Sequence, residues 1–222
     1  EEIIKTTIKK NPDAIVEAMN VAIHAQQVKL KESMEVELLK HKEKLSKGIV
    51  LGNPLGEAKI SVVMDPLCPH CLECQQIIHE ILDKRKDVAV HMYYVGLLGP
   101  NSAALAKTYI AAAKQGTDKL EKLAYKIATN KEQLSKAKLL SIATEIGLNA
   151  KTLESDEISK EVSDILDKNT KLAEEIRLPG VPFIVGFFAK SDDCIIIPPV
   201  DIASMNSMLD KLKGDKTAAL TS

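Results

Sequence analysis

Residues 58–82 read AKISVVMDPLCPHCLECQQIIHEIL, and this stretch decides the fold. Ala58–Met64 is a β-branched apolar run, which predicts a strand. From Pro69 to about Arg85 the apolar residues Ile77, Ile78, Ile81 and Leu82 fall on one side of a helical repeat. Between strand and helix lies Cys68-Pro69-His70-Cys71. A sulfur at the mouth of a helix meets unpaired N–H groups and the positive end of the helix dipole, and both stabilise a thiolate. Cys68 takes the cap position; Cys71, one turn inside, is shielded. Two cysteines separated by two residues can close a disulfide across that turn. Pro69 presets the first helical φ, and a protonated His70 places a positive charge beside Cys68. The arrangement predicts a redox site in which Cys68 attacks and leaves, and Cys71 resolves mixed disulfides. The rival chemistry is metal: Cys68, Cys71 and Cys74 could open a zinc or iron–sulfur site, with Cys194 or a histidine as fourth ligand. The strand-to-helix setting favours redox, so no metal and no other cofactor is expected.

Cys74 has two open readings. It is a buried small hydrophobe, or it pairs with Cys194 in a second disulfide if the compartment is oxidising. His24, His41, His79 and His91 are scattered and read as surface or packing residues.

Outward from the site, Val88–Val95 (VAVHMYYV) is a second strand, ended by GLLGP. Asn101–Ile176 is almost wholly helical, with breaks near Gly116 and Gly147. Pro179-Gly180-Val181-Pro182 ends that block. Phe183–Phe188 and Cys194–Ile197 follow as short strands about a polar turn, and Ile202–Leu212 is a final helix. The fold class is therefore α/β. The strand–helix–strand unit implies parallel pairing through a right-handed crossover, and the last two strands are antiparallel. Pro182 stands before an apolar strand, where trans is the commoner bond. A cis bond facing the disulfide would leave the backbone of Val181 free to pair with an extended substrate.

Toward the N-terminus, Gly48–Gly56 (GIVLGNPLG) is a Gly/Pro-rich break between an N-terminal segment and the domain. Asn11-Pro12-Asp13 is a helix start, and Ala14 to about Ser46 contains neither Gly nor Pro. Ile15, Met19, Ala22, Gln26, Leu30, Val36 and Leu39 form a thin apolar stripe. Such a helix of about 35 residues extends roughly 50 Å. A stripe this thin buries little within its own chain, so residues 1–47 read as a stalk that pairs with copies of itself; the bland reading is a solvated leader. A shorter helix is expected over residues 2–10.

The 222 residues carry 30 Lys and Arg against 31 Asp and Glu, a balance that argues against nucleic acid as the partner. With 45% apolar and 27% charged residues the composition is that of a globular protein. There is no Trp, so the core must be aliphatic. The longest apolar stretch, near Val181–Ala189, is too short to cross a bilayer. No signal peptide is legible at Glu1-Glu2, so the protein is cytosolic or its signal has been removed.

CPHC, the long helical insertion and Gly-Val-Pro-Phe together resemble the DsbA branch of the thioredoxin superfamily. NPDAIVEAM, the polar helix and GNPLGEAKISVVMDPLCPHC are similar to its members with an N-terminal oligomerisation helix, the ScsC-type proteins and related DsbA-like isomerases. GPNSAALAKTYIAA and KLAEEIRLPGVPF fit the same pattern, so the likeness spans nearly the whole chain. It implies a thioredoxin fold over residues 48–222 with a helical insertion at about 100–177. It implies Cys68 as nucleophile, Cys71 as resolving thiol, Pro182 as a cis-proline and Val181 beside it as substrate contact. It also implies a bacterial periplasmic location, a homotrimer, secreted client proteins and a membrane redox partner. Three positions depart from the pattern. No aromatic stands just before the CxxC; Val62 occupies the place of a buried Glu, leaving Asp65 as the candidate proton acceptor; and Val181, not Thr, precedes the proline. The leading expectation is a protein disulfide isomerase. The alternatives are a DsbA-type dithiol oxidase and, more remotely, a copper or zinc carrier.

Overall fold

The computed structural model describes residues 12–198 and 201–214, so the helix expected over residues 2–10 lies outside the described residues. The chain runs α1 (Pro12–Lys40), α2 (Lys42–Leu45), β1 (Ile49–Gly52), β2 (Ala58–Met64), α3 (Pro69–Lys84) and β3 (Val88–Tyr94). Next come α4 (Pro100–Lys114), α5 (Thr117–Ala128), α6 (Lys136–Glu145), α7 (Ala150–Glu157) and α8 (Lys160–Glu175). It closes with β4 (Phe183–Phe187), β5 (Cys194–Ile197) and α9 (Ile202–Leu212).

The strands form one mixed sheet in the order β1-β3-β2-β4-β5. β2 and β3 are parallel, with Ala58 opposite Val88 and Met64 opposite Tyr94. The other pairings are antiparallel. β2 is central and covered on both faces, which is why it reads as a continuous apolar run rather than an alternation. Ile60, Val62 and Met64 enter a core closed by α3, α4, α5 and α9. Val63 enters a second core on the opposite face, with Tyr93, Phe183, Val185 and Phe187. Leu38 of α1, Leu45 of α2 and Leu172 of α8 cover that face. Ser61, fully buried on this side, donates its hydroxyl to the Leu45 carbonyl.

Two local expectations are corrected. Gly48–Gly56 is not a plain break, because Ile49–Gly52 forms β1 and pairs antiparallel with β3. Leu51 is fully buried there. Gly52 then turns the chain at φ +78°, where an added Cβ would stand 2.7 Å from the Val88 carbonyl oxygen. The N-terminal helix is also not continuous to residue 46. It turns at His41, whose N–H donates to the Leu38 carbonyl at 3.0 Å, and resumes as α2. That turn lets Leu38 and Leu45 share one core. The Tyr93 hydroxyl donates to the Lys44 carbonyl at 2.5 Å and accepts the Lys47 N–H at 3.0 Å, fixing α2 to β3. Glu35 is buried, and its carboxylate accepts the N–H of Ile196 on edge strand β5 at 3.2 Å. N-terminal to Met34, α1 leaves the domain with Val16, Met19, Ile23 and Leu30 exposed.

The helical block breaks at Gly116 and Gly147, both at positive φ, and also before Ser135 and Ser159. Those two serines cap α6 and α8, accepting the N–H groups of Lys138 and Val162 at 3.2 Å. No helix among the described residues is long and apolar enough to cross a membrane.

Candidate active site

Asp65 follows β2 directly and is fully buried. One carboxylate oxygen accepts the Leu67 N–H at 2.9 Å. The other accepts the N–H groups of Leu97 and Leu98 at 2.8 and 3.0 Å. Its carbonyl accepts the Cys68 N–H at 3.1 Å. One side chain thus ties the β2–α3 loop to the β3–α4 loop and sets where Cys68 begins the helix. Both carboxylate oxygens are engaged with the main chain, so Asp65 is an anchor of these loops.

Cys68 is the N-cap of α3, in extended conformation, with Pro69 as the first helical residue. Its carbonyl accepts the Leu72 N–H at 3.0 Å, closing the first turn. Its Sγ lies 3.6 Å from the Val181 carbonyl oxygen. The Val181–Pro182 peptide bond is cis. The strand–helix junction and the segment leading into β4, 113 residues apart in sequence, therefore meet at the sulfur. Cys68 retains 9% exposure and Cys71 only 1%. Of the two, Cys68 is the less deeply buried. His70 stands in solvent with its Nδ1 3.3 Å from the Glu73 carboxylate.

Burial raises the Cys71 thiol well above its usual range, against a lowering contribution from the Asp65 main chain. Burial also lifts Cys74 from 9.0 to about 12. Both thiols are thus neutral in the folded protein at neutral pH. Above about pH 9 the unfolded chain ionises these two thiols while the folded chain keeps them protonated. Stability that is complete below that pH is therefore lost as pH climbs toward the folded values. Cys74 alone gives a slope of about 1.4 kcal/mol per pH unit. Urea denaturation of the reduced protein at rising pH should show this decline, and Cys74→Ala should flatten it. An alkaline profile as flat for the wild type as for the variant would contradict the assignment.

The possible Cys74–Cys194 disulfide is corrected. Cys74 sits in the core under α3, whereas Cys194 lies in the core on the other face of the sheet. Its Sγ is 3.3 Å from the Glu35 carbonyl oxygen, and no disulfide links the two residues. Among the described residues, no three His, Cys, Asp or Glu side chains gather as a metal-holding group.

Several residues of the site carry no legible chemistry in the sequence. Leu67, Leu97 and Leu98 remain 39%, 49% and 58% exposed, held outward by the Asp65 anchor. Leu97 also lines a cavity of about 230 Å³ with Arg177 and Leu178. The available signal was a pair of leucines between Gly96 and Gly99, in a loop too short to bury them.

The pattern of the DSBA-like thioredoxin domain matches residues 59–193, more than half of the chain. The chain belongs to the DSBA-like thioredoxin domain family. Thiol-disulfide oxidoreductase chemistry is the province of this family, and the strand–CPHC–helix unit, the helical insertion and the cis-proline all fall within or beside the matched segment. No curated protein matches the chain. Among solved structures, BcfH of Salmonella enterica Typhimurium superposes with a TM-score of 0.75 at 16% identity, covering 95% of this chain and 93% of that one. ScsC of Proteus mirabilis, in a transitional conformation, gives 0.67 at 19%, covering 95% and 94%. The thiol-disulfide exchange protein alpha-DsbA2 of Wolbachia pipientis gives 0.71 at 16%, covering 82% and 97%. At these identities the likeness is one of fold. This DSBA-like chain shares that fold with ScsC and BcfH over nearly its whole length.

Proposed function

We propose that this DSBA-like protein is a periplasmic protein disulfide isomerase that works as a homotrimer. The reading rests on one observation above others: Cys68 is within reach of a client while Cys71 is buried behind it, with the cis Val181–Pro182 bond alongside. In the reaction, the Cys68 thiolate attacks one sulfur of a wrong client disulfide. A mixed disulfide forms, and the other client sulfur leaves as a thiolate. A second client thiolate then attacks the client sulfur of the mixed disulfide, forming the new client disulfide and returning Cys68. No net oxidation occurs. If the client stalls, Cys71 attacks Cys68, the enzyme disulfide closes and the client leaves reduced. An extended client strand pairs with the Val181 main chain, as in strand addition. Leu67, Leu97 and Leu98 offer an apolar rim for the exposed hydrophobic segments of misfolded secreted proteins. His70 and Pro69 shape the turn from which Cys68 acts, and a membrane redox partner keeps the pair of cysteines reduced.

Residues 1–47 are assigned to the oligomerisation stalk, anchored to the domain from Met34 onward, and residues 48–222 to the catalytic domain. Val16, Met19, Ile23 and Leu30 are exposed at spacings of three, four and seven, the repeat of a self-pairing seam. Holding several sites around one client is what favours isomerisation over release. The second reading is a DsbA-type dithiol oxidase, favoured by Val181 in front of Pro182. The full-length variant Ile23→Glu/Leu30→Glu separates them, because like charges in the seam repel. Its solution mass should fall from trimer to monomer. Refolding of scrambled ribonuclease should drop by about a hundredfold or more, the low end of what joined sites gain over single ones. Oxidation of a dithiol peptide should be unchanged. Undiminished isomerase activity in a monomeric variant would overturn the dependence on the oligomer, and full peptide oxidation without ribonuclease isomerisation in the wild type would favour the oxidase.

A further inference from the structure

The inner thiol must lose a proton when it resolves a mixed disulfide and regain one when the disulfide is reduced. The buried acid nearest in sequence, Asp65, has its carboxylate oxygens engaged by three amides. Yet the core around α3 holds polar groups that a purely structural core would omit. Gln75 lies one turn beyond Cys71 on the same buried face, 2% exposed. Neither its amide oxygen nor its amide nitrogen has a partner among the described residues. The same holds for the hydroxyls of Tyr94 on β3 and Tyr109 on α4. The two tyrosine rings meet edge-on, 4.9 Å between centroids. Each such buried orphan costs about 1–3 kcal/mol, so three in one core call for a reason.

The row continues along α3. His79, one turn after Gln75, bonds the Glu121 carboxylate of α5 and stacks on Tyr125 at 3.7 Å. Burial holds the Tyr94 hydroxyl protonated, and the charges of Tyr109 and Glu121 act in the same direction. His79 and Glu121 line a surface cavity of about 300 Å³. Cys71, Gln75 and His79 therefore follow one another at four-residue spacing along α3, from the inner cysteine to the surface, and Tyr94 and Tyr109 are buried in the same core as Cys71.

We propose that Gln75, Tyr94 and Tyr109, closed at the surface by the His79–Glu121 pair, form the route by which the Cys71 thiol exchanges its proton with solvent. The inference rests on the thiol-exchange reading of the site. In resolution, Cys71 Sγ–H gives its proton to the relay. The Cys71 sulfur bonds to Cys68 Sγ, the Cys68–client S–S bond breaks, and the client leaves as a thiolate. The proton passes to the His79–Glu121 pair and out; reduction of the enzyme runs it inward. Facing Cys71 are Cys68 and Cys74 of its own helix and Asp65 of the preceding loop. Around the outer pair stand Asp83 of α3 and Lys86 just after it, and Asp118 and Lys122 from α5. Tyr94 and Tyr109 complete the set from β3 and α4.

The test is rapid-mixing kinetics of the reduced full-length protein with a peptide disulfide, across a pH series. Formation of the mixed disulfide at Cys68 and its resolution by Cys71 are read separately. In Tyr94→Phe/Tyr109→Phe and in Glu121→Gln, formation should match wild type. Resolution should slow by about tenfold or more with a displaced pH profile, as expected when proton transfer is impaired. Because the lost hydroxyls are orphans, the tyrosine variant should melt no lower than wild type, which a structural role would not allow. Gln75→Leu should slow resolution likewise, and the two other variants carry the test if it does not fold. Unchanged resolution rates and pH profiles in both overturn the relay. Failure of the wild type to form any mixed disulfide at Cys68 rejects the underlying reading instead.

Discussion

Replacing Cys68 with serine should abolish disulfide exchange, whereas replacing Cys71 with serine should leave a protein that accumulates mixed disulfides with its clients. The asymmetry comes from position on one helix turn. Cys68 is the cap, 3.6 Å from the Val181 carbonyl, and keeps 9% exposure. Cys71 is closed into the core, and burial holds its thiol protonated. A serine hydroxyl at residue 68 supplies no thiolate, so exchange with a peptide disulfide should fall by a thousandfold or more, on the order of a lost nucleophile. In Cys71→Ser the attack still proceeds, but the intramolecular escape is gone. Mass spectrometry of the acid-quenched reaction should then find one peptide adduct per chain, on Cys68. The neutral thiol of Cys74 should remain unmodified in the folded protein. Retained exchange in Cys68→Ser, or an adduct on Cys71 in wild type, would sink the assignment of the two sulfurs.

Asp65→Ala should cost more stability than any other single polar change at the site. It removes one buried carboxylate and strands the N–H groups of Leu67, Leu97 and Leu98. Hydrogen bonds to charged groups contribute about 1.5–3 kcal/mol each, and buried donors left without acceptors cost as much again. The bonds are not additive, so a loss of about 4 kcal/mol is the reasonable scale. Asp65→Asn should lose less, since one oxygen can still serve one loop. Exchange activity should fall with Asp65→Ala even below the denaturation transition, because the two loops that frame Cys68 are no longer tied. Urea denaturation measures the first effect, and peptide exchange at low urea the second. A midpoint within error of wild type would show that the anchor does not carry the junction.

The sequence by itself determined the parts whose causes are local. The apolar, β-branched run of Ala58–Met64 marked a strand. Pro69 after Cys68 could begin a helix at that sulfur, and two cysteines one turn apart had to differ in access. Gly116 and Gly147 marked helix ends because their backbone needs positive φ. Other features rest on partners far along the chain. β1 has only four residues, and it is a strand because β3 supplies the hydrogen bonds. Leu38 and Leu45 belong to the domain because a turn at His41 lays both over the sheet. Cys74 and Cys194 looked pairable in sequence, but the sheet stands between them. Nothing in the sequence singled out Gln75, and Asp65 stood there as a candidate proton acceptor. Only the approach of β3, α4 and α5 made the first a buried orphan and the second the tie between two loops. Local chemistry is written in neighbouring residues. Burial and hydrogen-bond satisfaction depend on what the folded chain brings alongside, and no short window of sequence contains that.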